Sequence, residues 1–174
     1  MFHSILVSLD GSTLAEQALA PTFSIAAKFA ASVLLLRVVV PERTALSQPP
    51  LVPSPFMANA EALQRQIVEA QDYLAGLEHA RPGVSVHSRV LVGAPPAGIV
   101  TTAVDGDIDL IVMSTHGRLG LTRLLYGSVA EAVLRGSPVP VLLIPNRVRS
   151  ERAADEALGL FPRFAAALFG SGGG

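Results

Sequence analysis

Ser32-Val33-Leu34-Leu35-Leu36-Arg37-Val38-Val39-Val40 decides how this chain folds. A strand with one wet face alternates apolar and polar residues. This run is aliphatic at nearly every step and carries Arg37 as its charged residue. Continuous Val/Leu runs of this length suit strands buried on both faces, which belong to parallel sheets covered by crossover helices.

Toward the N-terminus, Ile5 to Leu9 is a second short apolar run, and it ends at the turn residues Asp10-Gly11-Ser12. Thr13 to Ala31 follows with Leu14, Ala18, Phe23, Ala26, Ala27 and Ala30 near helical spacing. Ser12 is its expected N-cap, and Glu16 places acid in the first turn. Pro21 must bend this helix or mark its true first turn.

Toward the C-terminus, Pro41, Pro49, Pro50, Pro53 and Pro55 break up a stretch without periodicity, read as a loop insertion over 41–57. Ala58 to His79 reads as a helix with Leu63, Ile67, Ala70, Leu74 and Leu77 on one stripe, ended by Pro82-Gly83. Val84 to Val92 alternates as a strand does. Gly93-Ala94-Pro95-Pro96 reads as a turn before a short helix to about Asp105. Asp109 to Met113 is a fourth strand, Ser128 to Arg135 a helix, and Val139 to Ile144 a fifth strand among Pro138, Pro140 and Pro145.

Strands alternating with helices predict an α/β fold: a five-stranded parallel sheet with helices on both faces and right-handed crossovers. Such sheets bind ligands beyond the carboxyl ends of their strands, at the point where strand order reverses. The loops after Leu9, Val38 and Met113 are the candidates. Residues 148–174 form a separate tail, mildly amphipathic from Glu151 to Phe169 and glycine-rich at its end.

Composition narrows the function. Hydrophobic residues make up 50% of the 174, ample for a core, and aromatics only 5%. The formal net charge of −1 argues against a nucleic-acid binder, which needs a cationic excess to neutralise phosphates. There is no cysteine, so thiolate metal sites, disulfides and Cys nucleophiles are excluded. The opening residues do not read as a signal peptide, and no apolar run approaches a spanning helix. No membrane association is therefore expected, and a cytoplasmic location is the default.

Chemistry concentrates between Met113 and Ala130. Ser114-Thr115-His116-Gly117 leaves a buried strand; nine residues later Gly127-Ser128-Val129-Ala130 enters a helix. The glycines let a ligand approach the main chain. A helix start offers free N–H groups and a positive dipole end to an anion. Hydroxyls of Ser114, Thr115 and Ser128, with the fork of Arg118, suit phosphate oxygens. The bland alternative is a common strand-to-helix loop with Ser128 as a mere N-cap.

These segments make the chain similar to the universal stress protein family, in the branch that binds ATP. That branch carries Gly-x-x-Gly, nine residues, then Gly-Ser/Thr; Gly117, Gly127 and Ser128 match with the spacer intact, while Ser114 stands at the first glycine. The resemblance spans about residues 3 to 146. It includes Ile5 to Ser12, Leu35 to Val39, Gly93-x-Pro, Asp109 to Arg118 and Ser137 to Ile144. It implies a Rossmann-like, adenine nucleotide alpha-hydrolase-like domain over 1–147. It places Asp10 near ribose and adenine, with Ser8 and Leu9 on the same wall, although Asp10 reads equally as a turn former. Val38 would offer backbone groups to the adenine edge, and Met113 would touch the nucleotide. Ser114, Gly117, Gly127, Ser128, Val129 and Ala130 would hold the phosphates, with His116 and Arg118 nearby. ATP with Mg²⁺ or Mn²⁺, held mainly by the phosphates, is the implied ligand. The strand Val139 to Ile144 would pair with its twin in a homodimer.

Two further readings stand beside an ATP-binding regulatory module of the stress response. One is a dimeric interaction module with a vestigial pocket, which the serine at 114 favours. The other is a slow ATP hydrolase. A dinucleotide fingerprint and a Walker loop are both missing, and the four histidines are not paired at metal spacing. Asp105, Asp107 and Asp109 read as a solvated turn before a strand.

Overall fold

The computed structural model describes residues 2–41, 55–78, 83–115 and 127–145, with side chains from residue 60 in the second stretch. The strands are β1 (Ser4–Ser8), β2 (Ser32–Val39), β3 (Val86–Val92), β4 (Leu110–Thr115) and β5 (Val141–Pro145). The helices are α1 (Leu19–Phe29), α2 (Pro55–Glu78), α3 (Pro95–Asp105) and α4 (Ser128–Gly136). The expected α/β architecture is present: five parallel strands in the order β3-β2-β1-β4-β5.

Both sheet faces are buried, as the aliphatic β2 run predicts. On one face Ile5, Val7, Leu9, Val33, Leu35, Leu110 and Val112 pack with Leu19, Phe23 and Ala26 of α1 and Leu74 of α2. On the other, Leu6, Leu36, Ile111 and Met113 pack with Ile99 and Ala103 of α3 and Ala130 and Val133 of α4. Each fully buried aliphatic side chain contributes about 2 kcal/mol from removal of its surface from water. Strand order reverses beside β1: β2 and β3 lie to one side, β4 and β5 to the other. The crevice above β1 and β4 is therefore the topological switch point.

Several boundaries differ from the sequence expectation. The helix expected over Thr13–Ala31 is split into a 3-10 turn, Ala15–Ala18, and α1 from Leu19. Pro21 then falls in the first turn of α1, where its missing N–H would have found no helical acceptor. Ser12 is not the N-cap of either segment: Leu14 is the N-cap of the 3-10 turn and Ala18 that of α1, and the Ser12 Oγ accepts the Ala15 N–H at 3.1 Å from two residues before Leu14. α1 ends at Ala30 in the left-handed region (φ 53°), and the Ala31 N–H closes onto the Ala26 carbonyl at 2.9 Å.

Of the insertion expected over 41–57, residues 55–57 belong to α2, which starts at Pro55, a first-turn position that a proline's fixed φ suits, and 42–54 lie outside the described residues. Pro95 and Pro96 likewise belong to the first turn of α3 and not to the turn before it. β3 starts at Val86, and β4 runs on through Ser114 and Thr115, so these two end a strand instead of opening a loop. β5 begins at Val141 because Pro140 has no N–H to give; its carbonyl still accepts from Ile111 at 3.0 Å. Asp109, read as solvated, instead ties β4 to β1: its Oδ2 accepts the His3 and Ser4 amides at 2.7 and 3.0 Å. The expected tail, 148–174, lies outside the described residues.

Candidate functional site

A cavity of about 370 Å³ opens at the carboxyl ends of β1, β2 and β4. Its volume lies within the range of small-molecule sites. It is lined by Ser8, Leu9 and Asp10 from the end of β1, Val38 from β2, and Met113 and Ser114 from β4. Gly127, Ser128, Val129 and Ala130 from the start of α4 complete that wall. Ser8, Leu9, Asp10, Val38, Met113, Ser114 and Gly127 to Ala130 are thus brought to one cavity as expected, whereas Thr115, whose hydroxyl suits phosphate by sequence, ends β4 and does not line it. His116, Gly117 and Arg118 lie outside the described residues. Ala15 and Pro95 also line the cavity. No chemical signal in the sequence marks either of these small apolar residues.

The wall at α4 has the character of an anion site. Gly127 is the N-cap in extended geometry (φ −58°, ψ 151°), and its carbonyl accepts the Glu131 N–H at 3.0 Å. That is the first bond of the helix, so the amides of Ser128, Val129 and Ala130 have no acceptor within it. The N-cap, Gly127, has no side chain with which to cap them. Ser128 is the first helical residue, which sets aside its reading as an N-cap. Three converging N–H groups at the positive end of a helix dipole form a ready cradle for phosphate oxygens. Ser114 adds a buried hydroxyl: it is 7% exposed and has no hydrogen-bond partner among the described residues. Ser114 lines the cavity, so its hydroxyl can donate to an oxygen bound there.

The opposite wall is apolar. α3 also points its N-terminus this way, but Pro95 and Pro96 replace the first two donors with rings. Val38 and Pro95 therefore offer the cavity carbon surface where α4 offers N–H groups. Val38 is held there by close helix packing, because a Cβ on Gly98 would lie 3.1 Å from its Cγ2. Asp10 stands at the mouth, exposed. Its Oδ1 accepts the Ser12 N–H at 2.9 Å, so the turn-forming role is real, and the same residue lines the cavity. Among the described residues no cluster of His, Asp or Glu side chains is arranged to hold a metal ion. No helix of the described residues is long and apolar enough to cross a membrane.

A parallel α/β sheet with a polar-and-apolar cavity at its switch point defines the chain as a doubly wound α/β domain with a candidate ligand cavity. The chain belongs to the universal stress protein family, whose sequence model matches residues 1–145. Universal stress protein MJ0531 of Methanocaldococcus jannaschii is 33% identical over 147 residues, covering 83% of this chain and 82% of that one. The solved structure of MJ0577 from the same organism superposes with a TM-score of 0.70 at 30% identity, over 84% of this chain and 98% of that one. An Arabidopsis thaliana member of the family, solved with AMP bound, shares the fold at a TM-score of 0.57 and 18% identity, over 84% of this chain and 93% of that one. Against universal stress protein Rv2005c of Mycobacterium tuberculosis, the chain spans 44% of the relative's length.

Proposed function

We propose that this chain binds ATP in the switch-point cavity and acts as a nucleotide-dependent regulatory or sensing module of the stress response. The observation that carries the reading is the trio of helix-start amides at Ser128, Val129 and Ala130, which have no acceptor within α4 and lie in a cavity whose far wall is apolar. The triphosphate lies along the start of α4, with the Ser114 hydroxyl donating to it. The base lies against Val38 and Pro95, and Asp10 accepts from the ribose hydroxyls. The family motif assigns Gly117, with His116 and Arg118 beside it in sequence, to the same phosphates. The AMP held by the Arabidopsis relative is consistent with this ligand class.

A Mg²⁺ or Mn²⁺ ion enters with the nucleotide, coordinated by phosphate oxygens and water, because hard cations of this size keep several waters and take few protein ligands. The role is binding in preference to hydrolysis. Asp10 is the titratable side chain among the described lining residues, and one of its oxygens is engaged by the Ser12 amide. The working form is a cytoplasmic homodimer joined through β5, whose Val141, Leu142, Leu143 and Ile144 are half-exposed at the sheet edge.

Isothermal titration with ATP and Mg²⁺ tests the ligand. Saturable heat at one nucleotide per chain is expected. No detectable heat at near-millimolar nucleotide would sink the proposal.

A further inference from the structure

Arg37 has no part in the cavity. Its neighbour Val38 faces that way, together with Leu34 and Leu36. Arg37 alternates to the other face, with Val33 and Leu35, where α1 and α2 pack. There its guanidinium meets Gly11. A Cβ on Gly11 would lie 3.0 Å from Cζ, 3.0 Å from Nη1 and 3.1 Å from Nη2. Three near-equal distances mean that the guanidinium plane lies flat over this glycine, whose φ is +86°. The same Cζ sits 5.4 Å from the ring centroid of Tyr73 on α2, within cation–π range. The Tyr73 hydroxyl in turn donates to Glu16 Oε1 at 3.0 Å.

These contacts grip the segment between β1 and α1 at two points. Gly11 directly follows Asp10, and Glu16 directly follows Ala15; Asp10 and Ala15 are cavity-lining residues. We propose that Arg37 and Tyr73 are positioning residues of the nucleotide cavity. They form a latch that holds residues 10–16 where Asp10 and Ala15 make the wall, and they couple that wall to α2. The latch stays closed across the physiological pH range. Burial, then the bond to Glu16, raises the Tyr73 phenol above its ordinary range, so it stays a donor.

The consequence for ligand rests on the nucleotide reading above, so the test has one arm with nucleotide and one without. ATP–Mg²⁺ titration and residue-resolved amide hydrogen exchange are compared for the wild type, Arg37→Met, Arg37→Lys and Tyr73→Phe. Arg37→Met should weaken ATP about tenfold and Tyr73→Phe about threefold, with partial recovery in Arg37→Lys, which keeps the cation but loses the flat plane. In both Arg37→Met and Tyr73→Phe, exchange at Ala15 and Glu16 should quicken about tenfold while β1 and β4 stay as protected as in the wild type. A folded Arg37→Met protein with wild-type affinity and wild-type exchange would overturn the latch, as would lost stability spread evenly over the sheet. If the wild type itself gives no heat with ATP, the nucleotide reading fails separately. The exchange arm then decides the latch alone: quickening confined to residues 10–17 upholds it, and unchanged exchange refutes it. Should Arg37→Met fail to fold, Tyr73→Phe, which removes one hydroxyl, decides in its place.

Discussion

Ser128 lines the cavity and carries two separable donors, its backbone N–H and its hydroxyl. The first helical position tolerates proline, and Gly127 before it already holds the extended geometry that a following proline requires. Ser128→Pro therefore deletes the amide without cost to α4, and Ser128→Ala deletes the hydroxyl alone. If phosphate sits on the helix start, Ser128→Pro should weaken ATP by about 1.5–3 kcal/mol, the value of a hydrogen bond to a charged group. Ser128→Ala should cost less, and titration calorimetry on both separates the terms. Equal affinity for all three proteins would move the phosphates off α4. At this scale much of the site was legible beforehand. Ser8, Leu9, Asp10, Val38, Met113, Ser114 and the Gly127–Ala130 stretch carry hydroxyls, charge, backbone freedom or a family motif, and all line one cavity. Ala15 and Pro95 were not legible, because a methyl group or a proline ring joins a wall by tertiary proximity alone. Arg37 was visible as a charge in an aliphatic strand, but its contact with Gly11 spans the distance from one strand end to the next.

Elements were readable where periodicity was long and blurred where proline chemistry decides the ends. Pro21, Pro55 and Pro95 all sit in first turns, where a missing N–H is harmless; the sequence offers the first turn as one of two readings for Pro21, but reads Pro55 as part of a loop and Pro95 as part of a turn. The end of α1 makes a sharper case. Ala30 is exposed and takes a left-handed conformation at φ 53°, which glycine adopts without the Cβ penalty. Ala30→Gly should raise stability by about 1 kcal/mol in urea denaturation, since the relief of strain outweighs the added chain entropy of the unfolded state. A loss of stability would mean that the closing turn is unstrained. The amino end of the sheet depends on a side chain instead. Two backbone amides hold the Asp109 carboxyl below its ordinary value of 3.8, His3 first and then Ser4. A carboxylate with a lowered folded pKa stabilises fully above its unfolded value and loses that contribution as pH falls through the folded one. Asp109→Asn should therefore be less stable than the wild type at neutral pH. The gap should narrow in the acid range below the ordinary carboxylate value, as read from denaturant midpoints at several pH values.

At the scale of the whole molecule, the sheet of the described residues has two edges, and they are not alike. β3 shows His87, Ser88 and Arg89 to solvent, with a charge of the kind that discourages strand addition. β5 has no such guard. Val141 and Leu143 pack against one core layer, Leu142 and Ile144 against the other, and all four remain partly exposed. An open, aliphatic edge strand in a soluble domain is an aggregation hazard unless it is paired, and a two-fold axis pairs it once and closes the assembly. The sheet order predicts which strands are edges once the topology is known; the sequence alone marked β5 by its flanking prolines and by family resemblance. A charge placed on β5 would be trapped between two copies, whereas on a free edge it would be solvated. Leu143→Lys should therefore convert a dimer into a monomer in light scattering at micromolar concentration, near the chain mass of 18.1 kDa. Arg89→Ala, on the guarded edge, should leave the assembly unchanged. A wild-type protein that already scatters as a monomer would place dimerisation elsewhere or nowhere, and the exposed aliphatics of β5 would then need another cover.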